Sequence, residues 1–319
     1  MMSKEILQQT YIGNREAGFV QKLINLTRLN IVVSGLPGTG KTLLMKRIQS
    51  TSNKKGLYLN GYFAPVDFSV YGFFDICWWL YFHNDDEVDR IVKGYKPQKI
   101  QVIKKMEYLI LDEVFGLALT TIATIDKILR KVRGNYRPFG GIQMIYCGDV
   151  DYDGMNASSL RSEDITKDFF FDSFSFLKSE HLFIELKKNY VYSDFNFLDV
   201  LKSVRIGEEK YLGYINELCF SIDNTQNKTF KRISYQDDLR HGNMEYGMKQ
   251  KMVIENECFD TKGQLYRVLR KSNSLSNIVL QKQVDLRDIS FNQSVKNFME
   301  KFDSPKNKMA LELWSKRVL

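Results

Sequence analysis

The sequence predicts an α/β fold built on a parallel sheet, and three observations carry that expectation. Short apolar runs recur through the first 150 residues, each closing on a glycine or an acid. Stretches with helical spacing separate them, and a glycine-rich turn joins the first run to the first long helix. In order, residues 15–28 carry apolar positions at helical spacing and lead into Leu29–Gly35, a buried strand. A glycine-rich turn follows, and the next helix begins at about Lys41. Residues 56–68 read as a strand and loop, and 71–82 as a buried segment whose type the pattern leaves open. Residues 107–116 form a strand closed by two acids. Residues 120–135 are amphipathic, with Ile122, Ile125, Ile128 and Leu129 on one face and basic residues opposite. Residues 141–149 are the next strand, ending in Gly148-Asp149.

After about residue 155 the alternation blurs. Residues 168–176 are an aromatic run, 182–186 a strand, and 194–219 one or two helices. From 220 the chain turns polar, with isolated strand-like pieces at 251–256 and 263–270. A boundary near 180 divides it into residues 1–180 and a smaller region, 181–319.

The chain has 319 residues, 44% hydrophobic and 26% charged, with 22 Phe, 17 Tyr and only 5 Pro. That composition predicts folded structure rather than long linkers. The net charge of +8 favours a polyanionic partner. Cys77, Cys147, Cys219 and Cys258 form no CxxC pair, and the three histidines are scattered, so neither a disulfide framework nor a zinc site is expected. The N-terminus lacks an apolar secretory core, and the greasiest stretch, 73–82, is too short to span a bilayer. A soluble intracellular protein without a membrane partner is the expectation.

Gly35-Leu36-Pro37-Gly38-Thr39-Gly40-Lys41-Thr42, running into Leu43, fits a phosphate loop between a strand and a helix. Glycines there let backbone N–H groups converge on phosphate at a helix N-terminus, where the dipole favours negative charge. Lys41 would reach the β- and γ-phosphates, and the Thr42 hydroxyl would hold magnesium. Tyr108–Leu111 then delivers Asp112 for the second magnesium contact and Glu113 to polarise the attacking water. The implied ligands are ATP and Mg2+. The competing reading, an ordinary strand end with solvated acids, loses weight beside an intact phosphate loop.

From Asp112 the spacing becomes specific. Asp112-Glu113, a helix ending in basic residues and Asn135, Pro138-Phe139-Gly140-Gly141-Ile142-Gln143, then a strand to Gly148-Asp149 resemble the PIF-type (petite integration frequency) superfamily 1B DNA helicases, relatives of RecD. The resemblance covers roughly residues 10–215 and is firmest over 31–149. It implies a RecA-like phosphate-loop lobe in 1–180 and a partial or divergent second RecA-like lobe in 181–319. It places Asn14 where the family's glutamine reads adenine, and Asp149 in the segment supporting magnesium or water. Gly61, Phe63, Ser69, Tyr71 and Phe73 fall in the region that grips single-stranded DNA. Of these, the aromatics are candidates for base stacking, with a plain core role as the alternative.

Departures from the family pattern matter as much. Tyr152 stands where the family has a glutamine sensing the γ-phosphate, and Val191 where it has an arginine reaching the transition-state phosphates. The family's Gln-Gly loop is not recognisable, and its Ala-Leu-Ser-Arg strand end survives only as a stretched match at Ala310, Leu311, Ser315 and Arg317. Three expectations follow. The first is an ATP-driven helicase or translocase on single-stranded or duplex DNA, moving five-prime to three-prime in replication, recombination or repair. The second is a weakly catalytic nucleotide- and DNA-binding subunit completed by a protein partner. A third, an ATPase acting on protein, is disfavoured by the positive charge and the Gly-Gly-Ile-Gln run.

Overall fold

The computed structural model describes residues 14–61, 69–76, 84–150, 169–192, 194–219, 231–233, 249–254, 263–289 and 293–318. Helix α1 (Arg15–Leu26) turns Ala17, Phe19, Val20, Leu23 and Ile24 inward. It hands the chain to β1 (Asn30–Ser34), buried from Ile31 onward. Helix α2 (Lys41–Thr51) follows the glycine-rich loop, and β2 (Gly56–Asn60) returns beside it. The short α3 (Val70–Phe74) is capped by the Ser69 side chain on the Gly72 N–H. Helices α4 (Asp85–Lys93) and α5 (Pro97–Lys105) precede β3 (Tyr108–Asp112), in which every residue is buried.

Helix α6 (Leu119–Arg133) carries the expected apolar face and ends at Gly134 in the left-handed conformation. Strand β4 (Gln143–Cys147) follows. Next come the short α7 (Phe174–Leu177) and β5 (His181–Glu185). All five strands pair in parallel in the order β2-β3-β4-β1-β5. A continuous apolar run suits such strands, because helices cover both faces of a parallel sheet.

The Pro138–Gln143 run is a joint of this sheet. Phe139, Gly140 and Gly141 all take positive φ (54°, 62° and 74°), reversing the chain between α6 and β4. A Cβ on Gly140 would lie 2.8 Å from the Leu129 carbonyl oxygen, so only glycine fits there. Asp126 accepts the Phe139 N–H and the Arg130 guanidinium, fixing the turn. Gln143 donates to the Leu29 carbonyl and accepts from Lys54, which ties β4 to the entry of β1.

The second region forms its own parallel sheet, β6 (Lys231–Ile233), β7 (Met252–Ile254) and β8 (Ile278–Leu280), in that order. Helices α8 (Phe195–Arg205), α9 (Leu212–Cys219) and α10 (Gln264–Leu269) share a core with it, centred on Phe197, Leu201, Ile215, Tyr266 and Leu269. The strand-like reading of 263–270 is therefore corrected. Leu265, Val268 and Leu269 recur at helical spacing, and Gly263 opens the helix from the left-handed conformation.

Helices α11 (Gln293–Asp303) and α12 (Pro305–Val318) return to the first sheet. Phe298 and Phe302 join its aromatic core, and Asn307 bonds both the N–H and the carbonyl of Phe183 in edge strand β5. Two expectations need correcting accordingly. The boundary set between 180 and 181 falls just before β5, which hydrogen-bonds β1 in the first sheet. The stretched match at Ala310, Leu311, Ser315 and Arg317 lies inside α12, not at a strand end. Residues 77–82 of the greasy stretch lie outside the described residues. Among the described residues, no helix is long and apolar enough to cross a membrane.

Candidate functional site

The order β3-β4-β1 dictates the geometry. The loop leaving β1 and the acids leaving β3 flank the end of β4, so the three strand ends open onto one another. Gly38 and Gly40 take positive φ (81° and 80°), and α2 begins at Lys41. The Lys41 ammonium donates to the Gly35 and Leu36 carbonyls at 2.7 and 3.1 Å, and the Thr39 hydroxyl to the Leu36 carbonyl at 2.8 Å. Thr42 is half-buried in the first turn of α2, with Leu43 beside it.

Asp112 is 0% exposed. Its Oδ2 accepts the Tyr58 hydroxyl at 2.7 Å, and its Oδ1 the Glu113 N–H at 3.0 Å. Burial and the Asp112 charge hold the Tyr58 phenol well above its usual range, so it remains a donor. Glu113 sits in the left-handed conformation (φ 53°) at the strand end. Burial, then the neighbouring Asp112, pushes its carboxyl up to about 7, against the pull of Lys41 and Arg270. Among the described residues no cluster of three His, Cys, Asp or Glu side chains could cage a metal by itself. Magnesium commonly keeps waters and takes one or two carboxylates plus substrate phosphates, so Asp112 with the Thr42 hydroxyl is a fitting donor set for a nucleotide-borne ion.

Asp149 is engaged in a way the sequence did not reveal. Its Oδ1 accepts the Val150 N–H at 2.8 Å and pairs with Arg205 Nε at 3.1 Å. Its Oδ2 accepts the Tyr266 hydroxyl at 2.6 Å and faces Arg270 Nη1 at 3.7 Å. Arg205 also reaches Glu185 at 2.8 Å and Ser34 at 2.7 Å. The carboxylate expected to serve magnesium or water is thus the hub joining β4 to α8 and α10 of the second region.

The segment after β5 clamps the glycine-rich loop. Asn189 donates to the Pro37 carbonyl at 2.8 Å, and the Tyr190 N–H to the Gly38 carbonyl at 2.9 Å. A Cβ on Gly38 would lie 2.8 Å from the Val191 Cβ, so position 191 packs directly over the loop. Asn14 uses its Oδ1 to cap α1 through the Ala17 N–H and its Nδ2 to reach the Tyr190 hydroxyl at 2.8 Å. An amide used in both ways acts as a helix cap while it also ties the start of α1 to the segment after β5.

Of the residues expected toward DNA, Gly61 follows β2 directly with its N–H on the Asp112 carbonyl, and a Cβ there would meet the Glu113 carbonyl oxygen at 2.8 Å. Ser69 is the buried cap of α3. Tyr71 and Phe73 are half-buried against the first core, and Phe73 meets Phe74 edge-on at 5.0 Å. Each ring packs part of its surface into that core. Phe63 and Tyr152 lie outside the described residues.

Comparison with known proteins agrees with this architecture. The PIF1-like helicase family model matches residues 83–156. The chain is similar to the PIF1-type helicases. The ATP-dependent DNA helicase PIF1 of Danio rerio is 24% identical over 265 residues, 80% of this chain and 40% of that protein. Its Xenopus laevis counterpart is 26% identical over 183 residues, 57% of this chain and 28% of that protein. The chain thus spans well under half the length of these PIF1-type relatives. The crystal structure of Bacteroides sp Pif1 in complex with ADP-AlF4 superimposes with a TM-score of 0.73 at 17% identity, covering 93% of this chain and 98% of that one. The likeness fixes the fold as RecA-like α/β.

Tyr58, Arg205, Tyr266 and Arg270 are site residues that the sequence reading missed. Only Arg205 left a local trace, as a cation closing the apolar face of α8.

Proposed function

We propose that this chain is an ATP-driven motor on DNA, a helicase or translocase moving five-prime to three-prime along single-stranded DNA in replication, recombination or repair. The observation that carries the reading is the meeting of loop 35–42 and Asp112-Glu113 on either side of the β4 end. Gly35, Pro37, Gly38, Thr39, Gly40 and Leu43 would cradle the triphosphate by main chain and shape, and Lys41 would neutralise its terminal phosphates. Thr42 and Asp112 would hold the magnesium that arrives with ATP. Glu113, raised to about 7 by burial, is suited to take a proton from water near neutrality. The net charge of +8 supports a nucleic-acid partner.

A second reading rests on Val191, half exposed (47%) above Gly38 where the family's arginine is expected. An arginine in that role contributes about three to five orders of magnitude to phosphoryl transfer. Its loss favours a subunit that binds nucleotide and DNA yet hydrolyses slowly until a protein partner completes it.

ATP turnover with and without single-stranded DNA, beside Lys41→Ala, separates the two readings. A motor shows DNA-stimulated turnover that falls on the order of a hundredfold or more in the variant. Nucleotide binding without turnover selects the second reading.

A further inference from the structure

All five strands of the first sheet run the same way, so this region has two unlike poles. Loop 35–42, Asp112-Glu113 and Asp149 crowd the pole where the strands end. The opposite pole, where they begin, contributes nothing to that site. There Arg133 joins two segments. Its Nε donates to the Gly140 carbonyl at 2.9 Å, and its Nη1 to the carbonyls of Ile103, Lys104 and Met106 at 2.8, 2.9 and 3.0 Å. The end of α5 and the turn between α6 and β4 are thereby fixed side by side. From that joint Lys104, Lys105, Tyr136 and Arg137 all emerge exposed. The neighbouring Lys131 is paired with Asp89, but among the described residues no acid pairs with Lys104, Lys105 or Arg137. The exposed Glu107 is turned instead to the Lys55 N–H at 2.8 Å. Tyr136 is 92% exposed, so its ring adds nothing to the core. Its backbone is nonetheless held: Gly134 is left-handed at φ 59°, and Asn135 Oδ1 accepts the Arg137 N–H at 3.0 Å.

We propose that this strand-entry pole is a second contact for single-stranded nucleic acid, with the Tyr136 ring as a base-stacking platform and Lys104, Lys105 and Arg137 on the phosphates. Cations around a fixed, exposed ring are the two parts such a contact needs, since every base has a face to stack. Lysines at the end of α5 also suit the negative end of that helix, but such a role asks for neither Arg137 nor the ring. An acidic protein segment would use the cations and leave the ring idle. The proposal shares with the proposed function only the nucleic-acid partner, and it needs neither the ATP site nor a direction of travel. Gly61 and Ser69, expected toward DNA, lie at the other pole, one on the Asp112 carbonyl and the other bridged to Asn60. The strands between the poles are five residues long, about 17 Å at the usual rise. A nucleic-acid strand gripped beside Asp112 must therefore pass around the sheet to reach Tyr136, and only a long one touches both.

The test is the affinity of the full chain for labelled oligothymidine of about 8 and about 30 nucleotides, measured across salt. Wild type is compared with Tyr136→Ala, Tyr136→Phe and a triple variant carrying Lys104→Gln, Lys105→Gln and Arg137→Gln. A control with Lys22→Gln, Lys306→Gln and Lys316→Gln removes as many exposed charges elsewhere. All the replaced side chains are exposed, so an unchanged urea midpoint is expected in every variant. On the long strand the first triple variant should bind about tenfold more weakly. Its slope of log affinity against log salt should fall by about 2, roughly 0.7 for each of three phosphates. Tyr136→Ala should cost about fivefold or more on the long strand, while Tyr136→Phe, which keeps the face, should not. Short-strand affinity should stay within about twofold of wild type throughout. Long-strand affinity and salt slope both at wild-type values would overturn the proposal and leave the DNA reading intact. So would an equal loss in the control, or an equal loss on both lengths, which would make the patch part of a single DNA site. Loss in the triple variant with Tyr136→Ala at wild-type affinity would overturn the stacking contact in favour of a general polyanion surface. A wild-type protein that binds neither strand overturns the DNA reading and the proposal together.

Discussion

Tyr58 shows what a single hydroxyl can do for a buried acid. Asp112 is shut away from water, and an ionised carboxylate there needs donors. Tyr58 and the Glu113 N–H supply them, on different oxygens. Replacing Tyr58 by Phe removes one donor and leaves the ring packing in place. The expected loss of stability is about 1–2 kcal/mol, read as a shift of the urea midpoint. An orienting hydrogen bond on a metal-binding carboxylate is worth roughly ten- to a hundredfold in metal affinity. The magnesium concentration that half-saturates nucleotide binding should therefore rise at least tenfold in Tyr58→Phe, and an unchanged titration would separate Asp112 from the ion. At this scale legibility follows chain distance. The loop at 35–42 and the acids at 112–113 are local signals, and their spacing announced them. The grip on Asp149 comes from Tyr266, 117 residues along the chain, and from two arginines on helices of another sheet. Tertiary packing alone brings these groups together, and no pattern of adjacent residues encodes it.

Among the elements, β5 carries the clearest pH signature. His181 opens the strand with its ring stacked on Phe176 at 3.9 Å and 14°. Burial first, and the Lys301 charge second, lower its pKa from 6.5 to about 3. The native imidazole therefore stays neutral while the unfolded one gains a proton. Its contribution is fully present above about pH 6.5 and is lost as pH falls from there toward 3. Between pH 7 and 4.5, wild type should lose stability with a slope approaching about 1.4 kcal/mol per pH unit from this group. His181→Phe keeps an aromatic ring against Phe176 and should flatten the curve, while parallel curves for the two proteins would mean that His181 titrates elsewhere. The same strand marks the limit of element-level reading. Its apolar run was plain at 182–186, yet nothing local said that it would pair with β1 across the expected boundary. The helix at 264–269 was missed for a related reason: over six residues, apolar side chains at helical spacing and a short buried strand look alike.

For the whole molecule, the decisive feature is that the chain's last described helices do not stay with the second sheet. Phe298 of α11 stacks on Phe171 at 4.2 Å and 13°, and meets Phe115, Phe170 and Phe183 edge-on between 5.6 and 5.8 Å. Asn307 of α12 satisfies the outer edge of β5 as a paired strand would, covering an edge that could otherwise recruit another chain. The second sheet is thus held at both of its chain ends by the first, and a third time through Asp149. Phe298→Ala should destabilise the protein by roughly 3–5 kcal/mol, because six neighbouring rings, Phe176 and Phe302 among them, lose a shared partner. The pattern of the loss is more telling than its size. Hydrogen exchange should accelerate in β1 and β5 as well as in 293–318, because one aromatic core serves all three. Acceleration confined to 293–318 would instead make α11 and α12 an appendage, with the first sheet stable without them.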